Sequence, residues 1–159
     1  LGLYSGSSFG DSATWAECVG LELRYSLGPS SALLVEVAYE HFNATAVDPV
    51  IVSGLTSQIG FEWRLPLDAD YANQFVVAPG LGYEHLVAQQ GVQPSAGSLG
   101  AFVPRVRLGW RHLLMPSAGL DLSLDAGVAN FFQYSAFPFD SSNPATLLIG
   151  LNIALLWGL

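Results

Sequence analysis

The sequence has no lysine, and all of its basic charge rests on five arginines in 159 residues. Charged residues make up 11% of the chain, against about 25% in ordinary soluble domains. A solvated surface normally carries lysine, so this balance argues against a soluble protein with a water-facing wall. Cysteine is also scarce. Cys18 stands alone, which excludes an internal disulfide framework and reads as small-residue packing. No run reaches the roughly 18 consecutive apolar residues of a membrane-crossing helix. The most apolar stretch, Ala145 to Leu159, is broken by Asn152. No basic, apolar leader stands at Leu1, so any secretory signal is expected to have been removed or to lie outside this sequence. The formal net charge of −8 disfavours nucleic acid as a partner. No metal cluster, phosphate loop or cofactor motif is present, and no cofactor is expected.

What the chain does have is apolar content, at 51%, with a mean hydropathy of +0.41. It is distributed with a period of two in long segments. From Trp15 to Leu27 the odd positions are mostly large and apolar, while the even ones are Ala16, Cys18, Gly20, Glu22, Arg24 and Ser26. The same alternation recurs from Leu33, from Leu55, from Phe75, from Phe102, from Leu120 and from Leu147. These are seven strands, and Leu1 to about Gly6 supplies a short or incomplete eighth. Short connections at Gly28–Ser31, Pro66–Asn73 and Met115–Ser117 alternate with longer ones at Asn43–Ser53, Ala88–Gly100 and Gln133–Pro144. That is the pattern of an all-β, eight-stranded, antiparallel up-and-down barrel, with residues 1–159 forming a single domain. In a transmembrane barrel the short turns mark the periplasmic side, which places both termini there.

The contents of the two faces orient the wall. An eight-stranded lumen has room only for limited side-chain volume. The greasy face carries the large residues, so it is expected outside. The other face collects Glu22, Arg24, Glu36, Glu40, Glu62, Arg64, Glu84, Arg105, Arg107, Arg111, Asp121 and Asp125. Seven acids facing five arginines predict an interlocked plug rather than an open channel, because a buried ion is costly unless paired. Strand direction divides them into a lower set (Glu22, Arg24, Glu62, Arg64, Arg111, Asp121) and a higher set (Glu36, Glu40, Glu84, Arg105, Arg107). Aromatics gather at strand ends: Trp15, Tyr39, Tyr83, Phe102 and Phe132 near the long loops, and Tyr25, Trp63, Phe75, Trp110 and Trp157 near the short turns. Two such bands fit the two lipid–water boundaries.

By this pattern the chain resembles the small outer-membrane β-barrels of the OmpA transmembrane-domain and OmpX type, over its whole length and without a signature motif. The resemblance implies a bacterial outer-membrane location in contact with membrane lipid. Such proteins end in a sorting signal that Gly150, Ile153, Leu155 and Trp157 resemble, although Gly158 and Leu159 follow and depart from it. The expected role is structural, scaffolding or accessory, without catalysis. The alternatives are a narrow gated pore and a lipid A-modifying enzyme. The last is suggested by Glu17, His41, Ser53 and His85, an acid, histidines and a hydroxyl near the long-loop end, although their surroundings match no motif of the lipid A deacylase or palmitoyltransferase barrels. Pro79 and Pro104 interrupt the greasy face of neighbouring strands and predict a bulge, a lateral opening or a partner seam. The long loops carry no Lys or Arg, and Phe137 and Phe139 are candidates for contact with another envelope protein.

Overall fold

The structure is a computed structural model. It describes residues 2–9, 15–44, 50–90, 93–133 and 146–158, with side chains described for 17–41, 51–87, 97–129 and 147–158. Eight strands follow in order: β1 (Gly2–Phe9), β2 (Trp15–Gly28), β3 (Ser31–Ala44), β4 (Val50–Pro66), β5 (Asn73–Gln90), β6 (Gln93–Met115), β7 (Ala118–Gln133) and β8 (Thr146–Trp157). Each pairs antiparallel with its sequence neighbours, and β1 pairs with β8 to close the barrel. Closure leaves no unpaired edge, which a sheet in hydrocarbon requires.

The alternation of side chains becomes an alternation of environments. Outward positions such as Leu21, Leu23, Val37, Leu55, Ile59, Leu124, Ile153 and Leu155 are exposed, while Glu22, Glu36, Glu62, Arg107, Arg111 and Asp121 are buried. The molecule is thus apolar outside and charged inside, the inverse of a soluble barrel. Such a wall is stable only where hydrocarbon covers it. The lumen also needs small residues where strands approach closely. A Cβ on Gly80 would stand 2.8 Å from the Ile59 carbonyl oxygen and 3.2 Å from the Gly60 Cα, so Gly60 and Gly80 form a narrow point between β4 and β5.

Two expectations are corrected. The segment Ala88–Gly100 is not a long loop: β5 runs to Gln90 and β6 begins at Gln93, so most of it belongs to an extended hairpin. Likewise β3 continues to Ala44 and β4 starts at Val50, shortening the connection read as Asn43–Ser53. Hairpin pairing overrides the Gly, Pro and Ser content that reads as loop, because each residue added to both strands extends the ladder. The second correction concerns the prolines. Neither sits at a bulge, since the register shifts lie at Ser26/Gly28, Ala88/Gln90 and Leu113/Met115. Instead the β4–β5 ladder passes from Gly60↔Gly80 to Trp63↔Val77, and the β6–β7 ladder from Phe102↔Asn130 to Arg105↔Gly127, each resuming in the same register. On their other sides both prolines stay paired, as Pro79↔Val106 and Leu81↔Pro104. A proline lacks one donor, directed to one neighbour, so each costs pairing on a single seam.

Candidate functional site

The lumen is the most densely built polar region of the molecule. Arg107 on β6 donates from Nη1 to Glu22 Oε2 on β2 at 2.5 Å and from Nη2 to Glu36 Oε2 on β3 at 2.6 Å. Its Nε and Nη2 also reach the two carboxylate oxygens of Asp125 on β7, at 2.8 and 3.0 Å. Because β2 lies four strands from β6 in a ring of eight, this guanidinium crosses the lumen. Arg111, four residues further along β6 toward the short turn, binds Glu62 of β4 with two parallel bonds of 2.9 and 2.8 Å and Asp121 of β7 at 3.1 and 2.8 Å. Planar, two-pronged pairing of this kind is what arginine offers and lysine does not.

Arg24 ties these clusters together. It meets Glu22 at 2.7 Å, Glu62 at 3.0 Å and Asp121 at 3.2 Å. Arg64 adds a 2.6 Å contact to Glu62, and Asn152 of β8 donates to Asp125 at 2.7 Å. The two stacked networks expected from strand direction are therefore not separate: Arg107 holds Glu22 of the lower set and Glu36 of the higher one. Register is the reason, since Glu22 and Glu36 are direct partners in the β2–β3 ladder and stand at one level. Only Arg105 stands apart, paired with Glu84. Gly127 makes room for it, because a Cβ there would come within 2.8 Å of the Arg105 Cγ. Glu40 is also buried in the lumen. Sequence reasoning passed over the uncharged lumen groups Thr56, Gln58 and Gln74, all buried. Their shared parity with the charged residues was the available signal.

The aromatic residues Tyr25, Tyr39, Trp63, Phe75, Phe102, Trp110 and Trp157 lie exposed on the outer wall, and Tyr83 is half-buried beside Phe102 with ring centroids 5.3 Å apart. Phe75 and Trp110 are direct cross-strand partners near the short turns. The side chains of Trp15 and Phe132, and Phe137 and Phe139 altogether, lie outside the described residues. Pro79 and Pro104 are exposed on the outer face. Glu17, His41, Ser53 and His85 are also on that face: Glu17 is exposed and the other three are half-buried. The register places Glu17 opposite His41 and His41 opposite Ser53. Among the described residues no group of His, Cys, Asp or Glu is arranged to hold a metal ion.

No protein-family model and no curated protein matches the sequence. Solved structures do. A Neisserial surface protein A (NspA) is similar with a TM-score of 0.69 at 7% identity, over 99% of this chain and 94% of that one. The outer membrane enzyme PagL gives 0.63 at 11% identity, over 97% and 98%. Ail, the attachment invasion locus protein of Yersinia pestis, gives 0.56 at 10% identity, over 98% and 93%. The likeness covers nearly the whole of each chain, and this protein has the fold of the small outer-membrane β-barrels.

Proposed function

We propose that this chain is an integral barrel of the bacterial outer membrane with a structural, scaffolding or accessory-subunit role, its lumen sealed by the arginine–carboxylate network and both termini periplasmic. The observation that carries the reading is Arg107, whose guanidinium bonds Glu22, Glu36 and Asp125 across the barrel. A side chain held by three carboxylates from three strands stands across the path an ion would take. The narrow-pore alternative needs that path clear. The purified chain in a planar lipid bilayer is expected to give no stable openings in symmetric salt; well-resolved, recurring openings would refute the seal.

The accessory role rests on the outer surface. The connections between β3 and β4 and between β7 and β8 contain no Lys or Arg, and Phe137 and Phe139 lie in the second. Clustered aromatics outside a membrane-covered wall favour a protein contact. Lipid and one other envelope protein are the proposed partners. Changing Phe137 and Phe139 together to Ser is expected to leave folding intact, as read by heat-modifiable gel mobility, while removing at least one protein that copurifies in mild detergent. An unchanged set of copurifying proteins would exclude this connection as the contact.

A further inference from the structure

Glu40 stands apart among the lumen acids. Glu22, Glu36, Glu62, Glu84, Asp121 and Asp125 each lie within ion-pair distance of an arginine. Among the described residues Glu40 does not, although it is only 8% exposed. Both arginines of the higher set are engaged elsewhere, Arg105 by Glu84 and Arg107 by Glu22, Glu36 and Asp125. A buried carboxylate without a compensating charge is strongly destabilising. Neighbouring β4 adds polar groups that also lack a counterpart. Thr56 and Gln58 are 2% and 3% exposed, yet neither the Thr56 hydroxyl nor either amide atom of Gln58 has a hydrogen-bond partner.

These groups belong to one place. In the β3–β4 ladder Glu40 pairs with Gly54 and Ala38 with Thr56, so Glu40 and Thr56 are diagonal neighbours on the lumen face. Such neighbours are about 7–8 Å apart, within reach of long side chains. Thr56 is also the direct partner of Glu84 on β5. Gln58 follows on β4 with the same parity, and its amide lies across the inner face of β5, with Nε2 standing 3.1 Å from where a Gly80 Cβ would be. Toward the long loops, Val52 and Leu86 are buried, and Leu86 lies so close over Gly54 that a Cβ there would meet its Cδ2 at 2.5 Å. We propose that Glu40, Thr56 and Gln58 hold one alkali-metal cation, sodium or potassium, inside the upper lumen. The Glu40 carboxylate, the Thr56 Oγ1 and the Gln58 Oε1 are hard oxygen ligands, suited to such an ion. With a single carboxylate, the set differs from the His, Cys, Asp or Glu clusters that hold transition metals. Charge selects the valence. Glu40 and Glu84 supply two negative charges against the one positive charge of Arg105, leaving one in excess. A monovalent ion cancels it, whereas a divalent ion would overshoot.

The test uses the full refolded chain in detergent micelles, with folding verified by heat-modifiable gel mobility. Urea unfolding is followed in sodium chloride, potassium chloride and N-methylglucamine chloride, at a pH above the carboxylate range and at matched ionic strength so that screening is equal. Expected is greater stability in sodium or potassium than in N-methylglucamine. Once the site fills, the folded-to-unfolded ratio should rise about tenfold for each tenfold rise in the metal ion, as a single ion bound by the folded state alone requires. Glu40→Gln keeps the shape and drops the charge; it is expected to be equally stable in all three salts. Thr56→Val is expected to move the dependence to higher metal concentration. If Glu40→Gln does not fold, the wild type and Thr56→Val still decide. Equal stability of the wild type in all three salts would overturn the proposal, as would a metal dependence that persists in folded Glu40→Gln. Stability that ignores the cation but rises on acidification would overturn it too, assigning a proton to Glu40 in place of the ion. The assay is independent of conductance, so a barrel that leaks would leave this inference standing while the seal failed.

Discussion

Asp68 shows how much of a turn one side chain can hold. In the β4–β5 connection its two carboxylate oxygens accept the Asn73 backbone N–H at 3.1 and 3.0 Å, and Oδ2 accepts the Asn73 side-chain amide at 2.5 Å. These bonds allow Tyr71 to adopt a positive φ of 60°, a conformation uncommon outside glycine. Hydrogen bonds from the Asn73 backbone and side chain hold the Asp68 carboxyl below its ordinary value of 3.8. A depressed carboxyl stabilises the folded state above the unfolded value and loses that contribution as pH falls through the lower, folded one. Asp68→Asn is therefore expected to lower the urea midpoint at pH 7. The gap from the wild type should begin to close near the unfolded aspartate value, about pH 4, and go on closing as pH falls through the lower folded value; a gap constant from pH 7 to pH 3 would show that the carboxylate is not the cause. The turn's place was legible from its Pro, Asp and Asn content, but Asp68 as its anchor was not. Nothing in the spacing says which of Asp68 and Asp70 faces Asn73.

Among the strands, register was readable and ends were not. One face of every long segment is apolar, and a slip by one residue would reverse the wall, so alternation fixes which residues face the lumen. The ends depend on whether a facing strand continues, which the sequence of one strand does not show. Hence β6 reaches 23 residues although its first eight, Gln93–Gly100, contain Pro94, two serines and two glycines, Gly97 and Gly100. Close approach of β4 and β5 was equally hidden, since it depends on two glycines 20 positions apart, Gly60 and Gly80, meeting in register. Gly80→Val is expected to destabilise folding by about 1–3 kcal/mol, the usual cost of overpacking. The Ile59 carbonyl and the Gly60 Cα that it would strike are backbone and cannot rotate away. Gly28→Ala serves as the control, because its Cβ would meet only the Ser31 Oγ, at an ordinary 3.8 Å. Urea midpoints of refolding in lipid would check both; equal effects would show that the Gly60–Gly80 approach is not limiting.

At the scale of the whole molecule, the barrel is held from two directions: a ladder around its circumference and ion pairs across its bore. The composition foretold that acids and arginines share the lumen. It did not foretell the pairing, because strands that meet across the lumen are far apart in sequence, as Glu22 and Arg107 are by 85 positions. Arg107 is where the two directions meet, and replacing it separates structure from permeability. Removing one partner from a buried ion cluster costs about 3–5 kcal/mol, because the charges left behind lose their compensation. Arg107→Ala is therefore expected to lower the urea midpoint while retaining the folded gel mobility. Arg107→Lys should recover little of it, since one ammonium cannot bond Asp125 with two parallel arms while also reaching Glu22 and Glu36. The same substitution removes the side chain that crosses the bore and leaves Glu22, Glu36 and Asp125 around the gap. Openings of folded Arg107→Ala in a planar bilayer should then favour cations, giving a reversal potential of the cation-selective sign in a potassium chloride gradient. A folded variant that stays silent, or one that prefers chloride, would show that Arg107 is not what closes the barrel.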